Sequence, residues 1–137
     1  MIMNKPHNEA YKAVRTFHES FHLPYEDKPT LLTEERAQKR AAWMREEIEE
    51  FIEAVQDKDL VGQADAMIDL IYFAFGTLVE AGTEPNDLFN IVHQANMDKL
   101  WEDGKPRYRE DGKVIKPKNW EAPEPKLADA VTKQLSK

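Results

Sequence analysis

The chain has 137 residues, enough for one domain with a modest core, a net charge of −7 and no cysteine. The missing cysteines exclude disulfides, thiolate zinc sites and cysteine nucleophiles, and they fit a reducing, cytoplasmic setting. The negative charge argues against a general nucleic-acid surface, and a phosphorylated substrate would need metal ions to screen it.

The N-terminal stretch MIMNKPHNEAYK lacks the apolar core of a signal peptide. A first helix is expected over about Asn8–His22, where Ala10, Val14, Phe17 and Phe21 recur at helical spacing. Pro24 and Pro29 bracket a loop. Thr33 is placed to cap a long second helix, with Glu34 and Glu35 in its first turn and its end near Gln56. A third helix should run from about Leu60 to Ala81 and stop at Gly82. Its apolar stretch Ala64–Ala81 carries Asp65, Asp69 and Glu80, which speaks against a membrane span. Thr83-Glu84-Pro85 opens a fourth helix, expected to reach Leu100 or Trp101. Beyond about residue 102 the chain reads as an irregular tail rich in glycine and proline. It holds one short hairpin at Arg109–Ile115, and Leu127–Leu135 has helical spacing without a forcing signal. The helical period dominates and no run alternates in the strand manner, so the fold class is all-α, a single domain over 1–137 with its helical core at about 8–101.

On a helical wheel, Met44, Ile48, Phe51, Ile52 and Val55 share one arc of about 100°. Glu46, Glu47, Glu49, Glu50 and Glu53 fall away from it. An acidic run is commonly a solvated face. Here, however, Glu46 is followed at i+4 by Glu50, and Glu49 by Glu53, where a solvated face would place a base. Only Arg45 offers Glu49 a partner. Such an oxygen-only cluster suits Mg²⁺ or Mn²⁺. In the third helix Asp65 and Asp69 interrupt an apolar run on one face. They answer either to a lysine or arginine of another helix or to a metal shared with the glutamates. Tyr72 and Gly76 continue that face, and a glycine there lets something approach the backbone closely. On the fourth helix His93, Asn96 and Lys99 recur every three residues. Asn96 and Lys99 are candidate phosphate or base ligands, against the plainer reading of an exposed polar face. There is no Gly-rich phosphate loop, no G-x-S-x-G and no H-E-x-x-H.

Glu46-Glu47-x-x-Glu50 on one helix, followed by Asp69 opening DLIYFAFG on the next, resembles the all-α nucleoside triphosphate pyrophosphohydrolases. These are the MazG-like proteins with their phosphoribosyl-ATP pyrophosphohydrolase-like and dimeric dUTPase relatives. HQANMDKL and DGKVIKP strengthen the similarity to the phosphoribosyl-ATP pyrophosphohydrolase-like branch, and the resemblance spans about residues 8–120. It departs at one position. The family's second acidic helix carries E-x-x-D, and here Ala66 stands at the glutamate, with Asp65 one residue earlier.

The resemblance implies a four-helix-bundle-like protomer and Mg²⁺-dependent hydrolysis of a nucleoside triphosphate to a monophosphate and pyrophosphate, as in sanitation of the nucleotide pool. Glu47, Glu50, Asp69 and Asp65 would hold metal, Glu46 would act as general base, and Asn96, Lys99 and Tyr72 would contact substrate. A dUTP- or dCTP-specific diphosphatase, a phosphoribosyl-ATP pyrophosphohydrolase and a non-catalytic helical module are the alternatives. The nearly all-round apolar third helix calls for more cover than one protomer supplies, so a homodimer or dimer of dimers is expected.

Overall fold

The computed structural model describes residues 4–137. Its regular elements are helices: α1 (Pro6–Ser20), α2 (Glu34–Gln56), α3 (Leu60–Glu80), α4 (Asn86–Met97) and α5 (Glu124–Leu135). The all-α expectation holds. The chain forms two compact units, one ending at Glu84 and one running from Pro85 to Lys137.

In the first unit α3 is the central element, flanked by α2 and α1. Local chemistry sets its ends. The Thr33 hydroxyl accepts the Arg36 N–H and starts α2. After α2 the chain reverses within three residues, and the Asp59 carboxylate accepts the Gly62 N–H to start α3. At the far end Gly82 adopts φ +62°, and a Cβ there would run into the Lys28 carbonyl, so the position requires glycine. The segment between α1 and α2 is pinned to this end of α3, with Glu26 N–H bonded to Val79 O and Thr30 N–H to Ala81 O. Tyr11 and Val14 of α1 bury Val79, with Phe75 and Leu78 packed around them.

This cover reaches only the C-terminal half of α3. Toward its start Leu60, Val61, Ile68 and Ile71 stay exposed, as do Ile48, Ile52 and Val55 of α2. The apolar arc of α2 expected to face the core is thus partly open. No helix among the described residues is long and apolar enough to cross a membrane.

In the second unit α4 packs on α5. Thr83 does not cap α4; its hydroxyl donates back to Ala81 O, and Pro85 stands at the cap without a side-chain bond. The helix ends at Met97, short of Leu100. The expected hairpin is present as a bridge between Tyr108 and Val114. Two indoles hold this region together: Trp101 Nε1 donates to Ile115 O, and Trp120 Nε1 to Ala95 O. The tail is more regular than its composition suggests, because Glu124 and Pro125 make a favourable first turn for α5.

Candidate active site

α2 and α3 run antiparallel with one stripe of each turned to the other. On α2 that stripe is Arg36, Arg40, Trp43, Glu47, Glu50 and Ala54, in alternating steps of four and three. At one end the Arg36 and Arg40 guanidiniums reach Glu80, at 2.9 and 2.8 Å. Glu80 is almost fully buried, and this pairing is what permits a carboxylate there. Arg40 is locked further: Nε donates to Thr77 Oγ1 and Nη2 to the Phe73 carbonyl. It crosses α3 at Gly76, where a Cβ would strike both its guanidinium and His18. The close approach expected at Gly76 is therefore real, and the approaching group is an arginine. Next along the seam Trp43 stacks on Phe73, with ring centroids 6.0 Å apart. At the far end Ala54 lies against Gly62.

Between these neutral and paired stretches sit the acids. Glu47 lies in the seam, away from the exposed helix face, and its Oε2 is buried with no hydrogen-bond partner. Its carboxyl is pushed up from 4.5 to about 7 by desolvation first, then by a hydrogen bond shared with Glu50 and by the charges of Glu50, Asp69 and Asp65. Asp69 is also raised, by burial and then by Asp65 and Glu50. The structure thus brings together Glu47, Glu50, Asp65 and Asp69 from two helices. No lysine or arginine among the described residues pairs with any of them, which removes the salt-bridge explanation of Asp65 and Asp69.

Ala66 is buried in the seam while Asp65 stands exposed one step around the helix. Asp65 acts on Glu47 and Asp69 through its field. Glu46 is exposed on α2 and is not among the groups that perturb Glu47; Glu49 and Glu53 are exposed as well.

The donor set is hard oxygen throughout, and an orphaned buried carboxylate oxygen is what a divalent cation would satisfy. Among the described residues no three acids yet stand close enough around one point to cage an ion.

Asn96 and Lys99 belong to the second unit and are bonded to each other, Lys99 Nζ to Asn96 Oδ1 at 2.9 Å. Lys99 also lies over the Trp120 ring, and His93 is exposed. Tyr72 lines a partly open cavity of about 220 Å³ between α1, α2 and α3, together with His18, Trp43 and Phe73. A wider, open hollow of about 900 Å³ in the second unit is walled by Trp101, Arg107 and Trp120. Its Asp103 is already paired with Arg107, unlike the acids of the α2–α3 seam.

Sequence reasoning missed His18, Arg40 and Glu80. The four-three spacing from Arg36 to Ala54 was the signal for Arg40. A glutamate closing an apolar run was the signal for Glu80. Nothing local marked His18.

The family model for phosphoribosyl-ATP pyrophosphohydrolase matches residues 14–96, which include all four clustered acids. The chain belongs to the phosphoribosyl-ATP pyrophosphohydrolase family. It is accordingly a nucleotide pyrophosphohydrolase, and the non-catalytic alternative falls away. Among solved structures it is similar to that of a "putative NTP pyrophosphohydrolase" from Exiguobacterium sp. 255-15, at 38% identity over 97% of this chain and 98% of that one, with a TM-score of 0.57. No curated protein matches the chain. The tail from Met97 onward, including Lys99, lies outside the family-matched span.

Proposed function

We propose that the protein is a cytoplasmic, Mg²⁺-dependent nucleoside triphosphate pyrophosphohydrolase, converting a (d)NTP to the monophosphate and pyrophosphate. The observation that carries this reading is the buried, unpartnered Glu47 oxygen amid Glu50, Asp65 and Asp69. These residues would hold Mg²⁺, with Mn²⁺ as a substitute. A cation held there would supply charge neutralisation for the triphosphate. Glu46, the exposed residue that precedes Glu47 on α2, would accept a proton from the attacking water. The water oxygen bonds to the α-phosphorus, the bond from that phosphorus to its bridging oxygen breaks, and pyrophosphate leaves with the electron pair. The shared carboxylate cluster supports the triphosphate reading, because it would engage the phosphates through its metal and those are common to every such substrate.

A panel of nucleoside triphosphates assayed with Mg²⁺, with products identified, tests the reading. Monophosphate and pyrophosphate are expected; release of inorganic phosphate alone would overturn it. Glu46→Gln should stop turnover while sparing Mg²⁺ binding. Equal loss of metal in Glu46→Gln and Glu47→Gln would make Glu46 a ligand.

The exposed Leu60, Val61, Ile68 and Ile71 of α3 support a second part of the proposal, a homodimer or dimer of dimers. Sedimentation across a dilution series checks it, and a well-folded, active 15.9 kDa monomer at micromolar concentration would contradict it.

A further inference from the structure

One buried side chain plays no part in the proposed hydrolysis. His18 is 2% exposed and lines the 220 Å³ cavity between α1, α2 and α3. Its Nδ1 lies 2.8 Å from the Pro24 carbonyl. A carbonyl can only accept, so Nδ1 carries the hydrogen and the neutral ring presents Nε2 as an acceptor. Among the described residues nothing bonds to Nε2, which sits beside Gly76 and the Arg40 guanidinium. An acceptor and a cationic donor therefore stand together in the lining of a cavity whose other walls are Leu23 and aromatic rings. Trp43 and Phe73 stack as a pair, and Tyr72 meets Phe17 edge-on at 5.7 Å.

The position of this cavity matters as much as its lining. Trp43 precedes Glu47 by one helical turn on α2, and Phe73 follows Asp69 by one turn on α3. Because the helices are antiparallel, both steps lead the same way, and the cavity lies about 5–6 Å along the seam from the acids. That is room for a sugar between the acids and the cavity. The volume suits one planar ring system and is too small for a whole nucleotide, since sites for drug-sized ligands run from roughly 300 Å³ upward.

We propose that this cavity takes the nucleobase of the substrate, stacked against Trp43 and Phe73, and that His18 is the specificity-determining residue. Its Nε2 accepts a ring N–H or amino hydrogen on the edge opposite the glycosidic bond, and Arg40 donates to the neighbouring carbonyl or ring nitrogen. The proposal rests on the pyrophosphohydrolase reading, because it places the triphosphate at the acids. The bonds of Arg40 to Thr77, Glu80 and Phe73 hold it away from the acids and use three of its five N–H donors, which leaves two for the base.

The full-length protein gives the test in three arms. In the first, kcat/KM is compared for uridine triphosphate, 3-methyluridine triphosphate and base-free ribose 5-triphosphate. At least a tenfold fall is expected on methylation and on loss of the base, since a site built to bond an N–H rejects an analogue lacking it. Equal values for all three would overturn the proposal. In the second, His18→Phe should narrow the ratio between the parent and methylated nucleotides toward one. An unchanged ratio in a folded variant overturns the role of His18. In the third, nucleosides are titrated in chelator and read by tryptophan fluorescence. Quenching is expected in the native protein and should be lost in Trp43→Phe. This arm needs neither turnover nor the His18 variant. Quenching without any nucleotide hydrolysis would sink the enzymatic reading and leave the cavity assignment standing. Hydrolysis with quenching that Trp43→Phe does not alter would do the reverse.

Discussion

The Arg36 end of the α2–α3 seam and the stretch around Glu47 carry similar numbers of charges and treat them in opposite ways. At the Arg36 end every charge meets a partner: Glu80 is buried between two guanidiniums, and Arg40 is also bonded to Thr77 and Phe73. Around Glu47 acids gather from both helices with no base among them, and one oxygen is buried unsatisfied. The same pair of helices builds both stretches, so the difference lies in the side chains and not in the backbone. Folding alone would favour neutralising the second stretch as it does the first. Charge is compensated internally where structure is fixed, and left uncompensated where a ligand supplies the opposite sign.

Neutralising each stretch should therefore have opposite consequences. The largest effect is expected from Glu47→Gln or Asp69→Asn, which should reduce kcat by about a thousandfold or more, because several kcal/mol of metal-derived charge stabilisation goes with the ligand. In chelator the same variants should melt higher than the native protein, since each removes a desolvated, repelled carboxylate. Variants that kept full activity would remove the cluster from the mechanism. Glu80→Gln should do the reverse, lowering stability by about 3 kcal/mol in denaturant unfolding by stranding Arg40 in the interior. A neutral result would mean that Arg40 finds water. Gly76→Ala is smaller, about 1–3 kcal/mol, because its Cβ meets the Arg40 guanidinium and His18. If it melts with the native protein, Arg40 can shift aside at no cost.

The smallest expected effect is on pH dependence. Glu47 has a folded pKa of about 7 against 4.5 when unperturbed, and Asp69 is raised in the same direction. The folded state then holds more protons than the unfolded one between these values, so stability falls as pH rises through that window. Melting in chelator should show Tm declining from pH 4.5 to 7 and levelling above it. Glu47→Gln should flatten that slope, and an identical slope in both proteins would locate the proton elsewhere.

Much of this was legible in the sequence, for physical reasons. Thr33 and Gly82 are local signals acting within a turn of where they stand, and α2 begins and α3 ends close to where those residues indicate. The acids announced themselves through missing bases at i+4. What escaped depends on contacts between distant segments. The wheel set Glu47 among the exposed glutamates, yet the seam rotates α2 so that Glu47 faces α3 and Ile48, Ile52 and Val55 face outward. Hydrophobicity alone misjudged that rotation because Arg36, Arg40 and Trp43, all polar-tipped, form the buried stripe. His18 was invisible because its partners, Pro24 and the Gly76 region, meet it only in the folded chain.

Calorimetric titration of Mg²⁺ into chelator-treated protein near pH 7, with Glu47→Gln and Asp69→Asn alongside, tests the central claim most directly. Glu47 is partly protonated at that pH, so saturable binding should release protons, read from the dependence of the heat on buffer ionisation. Both variants should lose the binding, and the native protein should lose nucleotide hydrolysis in excess chelator. Equal Mg²⁺ affinity in all three proteins, or hydrolysis undiminished by chelator, would contradict the assignment of the acids as a metal site.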